Sequence, residues 1–163
     1  MHSNLKIKDI TVIAVSSVIL LIAQIAMKHL PNIELVSLFI LLFTKHFKSK
    51  TLYIIYIFVL VQGLLYGFGL WWVCYTYVWT ILYFICLFVR DVDSPFALAV
   101  VLAIFGLLFG VFCSFVYFVT LGPGGAISWI ISGFTFDLMH CIGNFIVTLV
   151  LFKPLNNAMN KIL

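Results

Sequence analysis

Charged residues are scarce in this 163-residue sequence: only 9% of the residues are Asp, Glu, Lys or Arg, whereas 65% are hydrophobic. A soluble domain of ordinary composition carries about 25% charged residues. So little charge excludes an ordinary soluble fold, because the apolar surface that it leaves would aggregate. The sequence therefore predicts an all-α integral membrane protein whose solvent is the lipid bilayer.

The sequence also lacks the short motifs of common enzyme chemistry. It contains no H-E-x-x-H, no phosphate-binding loop and no G-x-S-x-G. We therefore expect a protein that is not an enzyme, binds no cofactor or metal and does not hydrolyse ATP itself. The nine Lys and Arg residues are scattered rather than gathered into one stripe, which argues against a nucleic-acid partner.

Cysteine is present, but not in a pattern that indicates a metal site or a disulfide framework. No C-x-x-C and no Cys/His cluster occurs, and all four cysteines lie within apolar stretches: Cys74, Cys86, Cys113 and Cys141. The pattern favours small hydrophobic residues of the core.

Long uncharged runs divide residues 1–163, a single predicted transmembrane domain, into six helices. The predicted spans are about 10–28, 33–47, 51–68, 72–89, 96–121 and 127–152, and the second is short. Gly63, Gly67 and Gly69 are expected to separate the third helix from the fourth, and the Gly-Pro-Gly-Gly run at 122–125 is interpreted as a turn. The first run lacks a clear cleavage site, which favours a retained helix over a signal peptide.

The positive residues favour one orientation of this six-helix bundle. One side of the predicted spans has Lys28 alone, and the other has eight cations: Lys6, Lys8, Lys45, Lys48, Lys50, Arg90, Lys153 and Lys161. Cytoplasmic loops carry the excess of Lys and Arg, so both termini are expected in the cytoplasm of a bacterial cell, with the protein in the plasma membrane. The loop at Pro31, residues 67–77 and the turn at 122–126 should then face outward.

The predicted outer side is rich in aromatic residues between positions 66 and 79. These rings could form the interfacial belt that anchors helices at the level of the lipid headgroups. Alternatively, rings beside flexible glycines form the wall of a pocket for a planar or partly apolar ligand, which is the interpretation that we favour. It makes substrate-binding candidates of Tyr66, Trp71, Trp72 and Tyr75.

The sixth predicted helix carries three polar residues, Asp137, His140 and Asn144, whose spacing places them on one face. An ionisable group this deep in a membrane helix is a functional candidate, because burying it is costly without a partner or a watery cavity. The alternative is structural: Asp137 and His140 satisfy each other or Gln62. We favour ligand contact for all three.

Further candidates flank this group. Asn32 and Glu34 follow Pro31 at the predicted outer mouth, where Glu34 could cap the second helix, pair with Lys28 or reach over a ligand. Gln62 lies one turn before Tyr66 and is a secondary contact.

Gly106 and Gly110 form a G-x-x-x-G motif on the fifth helix. Such a pair lets the backbone of a neighbouring helix approach closely. We expect it to serve packing within the chain rather than a dimer, and we expect Phe109, which lies within the motif, to belong to the same packing face.

Three segments carry a resemblance to a known family: LPNIELVS at 30–37, YGFGLWW at 66–72 and FDLMHCIGNF at 136–145. With six predicted helices and a short second one, the chain resembles the substrate-binding S component of energy-coupling factor transporters. The resemblance covers nearly the whole chain. It implies a membrane-embedded subunit that captures a vitamin or similar micronutrient outside the cell and topples in the membrane to release it inside.

The resemblance also implies partners: a transmembrane coupling protein and two cytoplasmic ATPases. Many members dock through an Ala-x-x-x-Ala face on the first helix, whereas this helix offers Ala14, Ser17, Ala23 and Ala26 without that spacing. A corrinoid of the cobalamin type is the preferred substrate, because the aromatic rim suits a bulky ring system, and haem is its rival. Two other classes remain open, namely a small helical scaffold protein and an ion-coupled secondary transporter that uses Asp137.

Overall fold

The computed structural model describes residues 6–27, 29 and 33–162. All regular secondary structure in these ranges is α-helical, so the predicted all-α fold is confirmed. The helices are α1 (Ile7–Met27), α2 (Val36–Phe47), α3 (Lys50–Tyr66), α4 (Leu70–Val89), α5 (Pro95–Leu107) and α6 (Phe109–Ile162).

The short second helix is confirmed, and it is the centre of the bundle. Eight of the 12 residues of α2 are buried, and the helix packs against α1, α3, α4 and α6. An apolar sequence on nearly every face, such as Leu38, Ile40 and Leu42, is what a helix surrounded by other helices requires. The central position of α2 brings Glu34, just before its start, into the interior.

The break between α3 and α4 has the predicted length of three residues but lies two residues earlier than predicted. Only residues 67–69 leave the helices, and Gly67 takes the positive φ of 87° that favours glycine. Gly63 lies inside α3 and does not break it; the rings of Phe68 and Trp72 lie against it. α4 therefore begins at Leu70, two residues before its predicted start.

The predicted fifth helix is interrupted at Leu108, where the backbone has φ −94° and ψ 1°. α5 ends before this residue and α6 begins after it. The start of α5 follows ordinary capping chemistry, because the Ser94 hydroxyl accepts a hydrogen bond of 3.3 Å from the Ala97 N–H and Pro95 occupies the first helical position.

The four-residue turn predicted at 122–125 is wrong in its extent. Only Gly122 leaves helical geometry, with φ 74° and ψ −174°, and it divides α6 into a first limb (109–121) and a second limb (123–162). Pro123 starts the second limb, where its missing N–H has no helical partner to lose. The second limb also continues past the predicted end at 152, because Leu155 and Met159 pack against the core despite Pro154.

The two limbs, with α5 extending the first, form an antiparallel hairpin of regular register. Asn144 contacts Leu102, His140 faces Gly106, and Asp137 faces Gly110. These pairs lie symmetrically about residue 123, as does the stacked pair of Tyr117 and Trp129, whose ring centroids are 3.9 Å apart. The predicted role of the G-x-x-x-G motif in packing within the chain is confirmed, because a Cβ on Gly106 would lie only 2.9 Å from the carbonyl carbon of His140.

Charged side chains join several helices at one end of the bundle. Lys45 on α2 reaches Asp93 at 2.8 Å, and Lys50 on α3 reaches Asp9 on α1. The hydrogen bond from the Lys45 ammonium lowers the pKa of the Asp93 carboxyl below its ordinary value. These two cations and two acids therefore lie at the same end of the bundle, opposite the end where α3 finishes at Tyr66 and α4 starts at Leu70.

Cys74 and Cys113 form a disulfide that joins α4 to the first limb of α6. The prediction that all four cysteines act as small core hydrophobes is therefore wrong for this pair, whose Cα atoms are 5.3 Å apart. Spacing along the chain could not reveal it, since the partners are 39 residues apart and lie in different helices. Cys86 is a buried free cysteine, as expected, and Cys141 is half-buried.

Among the residues that the structure describes, three helical stretches are long and apolar enough to cross a membrane. They are Ile7–Met27, Leu70–Val89 and the stretch Pro95–Ile162, which combines α5 and α6. α2 and α3 are also apolar but shorter. This much of the predicted membrane architecture follows from length and composition.

Candidate functional site

A buried acid and an imidazole meet where the start of α2 faces the second limb of α6. The Oε1 atom of Glu34 and the Nε2 atom of His140 are 3.2 Å apart, and both side chains are almost completely buried. The N–H of Ser37 also donates to both carboxylate oxygens of Glu34, at 3.2 and 2.9 Å. Glu34 thus caps α2, as one of its three predicted roles proposed, and also holds the ring of His140.

Asn144 joins three helices and has no spare donor. Its Nδ2 atom donates to the Leu102 carbonyl oxygen at 3.2 Å and to the Ser37 hydroxyl at 3.4 Å. With an exposed fraction of 1%, Asn144 is buried more deeply in the bundle than either Glu34 or His140. The geometry favours a packing role for this residue over the predicted ligand contact.

Asp137 lies one turn from His140 but does not bond to it. Its Oδ1 atom accepts a hydrogen bond of 3.0 Å from the Gly110 N–H, so a backbone donor on the opposite limb satisfies part of this carboxylate. The predicted alternative, in which Asp137 and His140 hydrogen-bond to each other or to Gln62, is therefore wrong. The partner of Asp137 is Gly110, and the partner of His140 is Glu34. The predicted common face is confirmed, because Asp137, His140 and Asn144 are all buried on one side of α6.

Asp137 and His140 line a groove of about 390 Å³ along the hairpin, which we call the hairpin groove. Its remaining walls come from both limbs of α6: Phe109, Gly110, Trp129, Ser132, Gly133 and Phe136. Phe109 therefore lines the groove in addition to packing within the hairpin. Its ring centroid lies 5.0 Å from that of His140. The groove combines one carboxylate with several aromatic faces.

A second cavity lies between α1, α3 and α4, and it gathers four predicted site residues. We call this space of about 260 Å³ the amide cavity, because two carboxamides contribute to its lining: Gln24, Gln62, Tyr66, Trp71 and Tyr75. Gln62 is only 3% exposed, and its Nε2 atom has no hydrogen-bond partner within residues 6–27, 29 and 33–162. The cavity lies where α1 and α3 end and α4 begins, opposite the charged end of the bundle.

A continuous row of rings connects the amide cavity to the Glu34–His140 pair. Trp71 contacts Tyr75 with ring centroids 5.3 Å apart, and Tyr75 contacts Trp79 at 5.4 Å. Trp79 is buried and contacts Phe109 at 5.6 Å, and Phe109 contacts His140. The predicted site residues therefore form two separate groups, joined through aromatic packing rather than gathered around one space.

Comparison with known proteins identifies no relative of this chain. The chain matches no known family, no characterised protein and no solved structure. The features that bear on its function are therefore the buried pair, the hairpin groove and the amide cavity.

Neither space is lined by three of the predicted site residues: Glu34, Trp72 and Asn144. Trp72 is half-buried, and its indole N–H donates to the Val59 carbonyl oxygen at 2.9 Å, which joins α4 to α3. Its ring meets that of Phe68 edge to face, with centroids 5.0 Å apart. Asn32 lies outside the described residues, as does Lys28, the predicted alternative partner of Glu34.

Several residues that line these spaces or hold the buried polar groups were not predicted. Gln24 is a single polar residue in the apolar run of α1, and that isolation was the available signal. Ser37 and Trp129 carried no comparable signal, since serine and tryptophan are both common in membrane helices. Their roles depend on which helices are neighbours.

Proposed function

We propose that this chain is a six-span integral membrane protein that binds a vitamin-like micronutrient as the S component of an energy-coupling factor importer. It would perform no chemistry of its own. A coupling protein in the membrane and two cytoplasmic ATPases would drive import. The site lies within the bundle, and both termini lie in the cytoplasm of a bacterial cell.

The surface of the bundle supports a lipid environment. Large hydrophobic side chains are exposed on the outward faces of most helices, among them Ile22, Leu60 and Ile131, whose exposed fractions are 59%, 51% and 71%. A soluble monomer rarely exposes contiguous apolar surface on this scale. Lipid tails would cover these faces at no cost.

The orientation rests on the contacts of charged groups at one end. Lys45 and Lys50 form their ion pairs there, and the loop with Arg90 lies beside Lys45, which donates to the Arg90 carbonyl oxygen at 2.7 Å. Cytoplasmic ends of membrane proteins carry such cations. The opposite end contains the amide cavity, which would then open toward the outside.

The buried pair of Glu34 and His140 is the observation that carries the proposal. Two ionisable side chains at 3.2 Å in an apolar bundle are costly, and such groups in membrane proteins usually mark a ligand or ion pathway. Here the pair borders the hairpin groove and connects to the amide cavity through the row of rings. An arrangement of this kind suits selective binding, because its polar groups are few and the buried pair is fixed by hydrogen bonds.

The docking face on α1 would be narrower than its composition suggested. Ser17 and Ala23 are buried, and the Ser17 hydroxyl donates to the Ile54 carbonyl oxygen of α3 at 3.3 Å. Ala14 and Ala26 are exposed. A coupling protein that contacts α1 would therefore meet these two alanines and their exposed apolar neighbours.

Co-expression with a coupling protein and its two ATPases tests the proposal. We expect the four subunits to co-purify, a small molecule to appear in the mass spectrum of the complex, and uptake into vesicles to require ATP. An ATPase variant that cannot hydrolyse ATP is the control and should abolish uptake but not binding. Uphill uptake by the lone chain that a protonophore abolishes would instead support a secondary transporter, and failure to co-purify would favour a scaffold protein.

A further inference from the structure

The amide cavity offers hydrogen bonds from uncharged groups. Among the residues that the structure describes, none of those that line the cavity carries a charged side chain, and the polar groups come from two carboxamides and the hydroxyls of Tyr66 and Tyr75. A charged ligand would have to leave water without an opposite charge to meet it, which is strongly unfavourable. The lining therefore selects neutral ligands.

Gln62 is the polar group that determines what the ligand must provide. Its Nε2 atom is buried and has no partner in the described part of the chain, although buried polar groups in folded proteins are nearly always hydrogen-bonded. A carboxamide offers donors and an acceptor side by side. The complementary ligand edge is a lactam, in which a C=O acceptor stands next to an N–H donor.

The walls determine the shape of the ligand. Trp71 and Tyr75 pack edge to face, so they present flat surfaces at nearly right angles to each other, with an interplanar angle of 88°. Flat walls and aromatic faces suit a planar ring. At about 260 Å³, the cavity is below the 300–1,000 Å³ typical of sites for drug-sized ligands, so one or two fused rings fit and a corrinoid or haem does not.

We infer that the amide cavity binds a neutral, planar heteroaromatic molecule through its lactam edge, with Gln62 as the residue that selects this edge. This inference deepens the proposed function, since the cavity would be where the importer holds its substrate. It replaces the corrinoid expected from the aromatic rim with a much smaller class of compound.

Binding of two matched probes tests the inference. Hypoxanthine has a lactam edge, whereas purine has the same fused rings without it. Isothermal titration of the purified full-length protein in lipid nanodiscs should give saturable binding of hypoxanthine and binding of purine weaker by about ten-fold or more, as expected for the loss of a hydrogen bond to a buried group.

The Gln62→Leu variant should remove this discrimination. Because the Nε2 atom of Gln62 has no partner among the described residues, replacing Gln62 with an apolar residue of similar size should keep or raise the thermal unfolding midpoint while hypoxanthine binding falls by about ten-fold or more. A merely structural role would instead lower the midpoint. Asn160→Leu makes the same kind of change at an exposed position at the other end of the chain and should alter neither quantity.

Four results would overturn the inference: no saturable binding of hypoxanthine, equal binding of purine, tighter binding of cyanocobalamin, or undiminished discrimination in the Gln62→Leu variant. None of these results affects co-purification with the coupling protein and ATPases. Failure of that complex to form, in turn, leaves the titrations unchanged. The inference and the proposed function can therefore fail separately.

Discussion

The Gly110 N–H donates a hydrogen bond of 3.0 Å to Asp137 across the two limbs of α6, and the carboxylate occupies the space that a Cβ on Gly110 would need. One residue provides the donor and, by lacking a side chain, also the room for the acceptor. The position of Asp137 in the hairpin groove therefore depends on a glycine 27 residues earlier in the chain.

The Gly110→Ala substitution should displace Asp137 and loosen the hairpin. Overpacking a tight contact typically costs about 1–3 kcal/mol of the free energy of unfolding. Denaturant titration of the protein in micelles measures this loss. Gly124→Ala is the matched control, because nothing lies within 4 Å of a Cβ there and alanine favours the helix by up to about 1 kcal/mol. Equal losses in both variants would contradict the contact.

Glu34 and His140 should be energetically coupled. Removing one member of a buried pair typically costs about 3–5 kcal/mol, because the other member is left uncompensated. The cost in the double variant Glu34→Ala/His140→Ala should therefore be smaller than the sum of the two single costs, by about 0.5–3 kcal/mol. A double-mutant cycle of unfolding free energies measures the difference, and additive losses would show that the pair does not interact.

The disulfide should leave two of the four cysteines free. Alkylation in denaturant, followed by mass spectrometry, should modify only Cys86 and Cys141 before reduction and all four afterwards. A Cys74→Ala/Cys113→Ala variant should lose about 2–4 kcal/mol of stability, the usual contribution of a disulfide. Cys141→Ala serves as the control and should keep the reducible bond. Four modified cysteines without reduction would contradict the pairing.

The two ends of the bundle should be accessible from opposite sides of the membrane. Single cysteines at Lys48 and Val92 should react with an impermeant reagent only from the cytoplasm, and those at Leu70 and Gly124 only from outside. Replacing Cys86 and Cys141 alone provides the background, since Cys74 and Cys113 are bonded to each other. Labelling of either pair from the opposite side would exclude the proposed orientation.

Helix positions were largely predictable because the signal is local. The apolar run of α1, the short α2 and the break near Gly67 all follow from residues that are adjacent in sequence. The errors arise where packing overrides a local preference. Pro154 does not end α6, since Leu155 and Met159 gain more from the core than the helix loses at the proline.

The site was predictable only as a set of residue types. The spacing of Asp137 and His140 correctly indicated one helical face, and the position of Gln62 one turn before Tyr66 correctly grouped these two. The partners could not be deduced. Glu34 lies 106 residues from His140, and nothing near either residue indicates which helices lie side by side.

The hairpin of α5 and α6 constrains the number of residues between Gly110 and Gly122 more tightly than it constrains their identity. Each residue of one limb faces a fixed position on the other, and an α-helix turns by about 100° per residue. A single-residue insertion between Gly110 and Gly122 would therefore rotate Gly110 and everything before it away from Asp137 and His140, whereas several substitutions on the exposed side of the same stretch would leave the contacts intact. Over evolutionary time, this part of the protein should vary in composition while its number of residues stays constant.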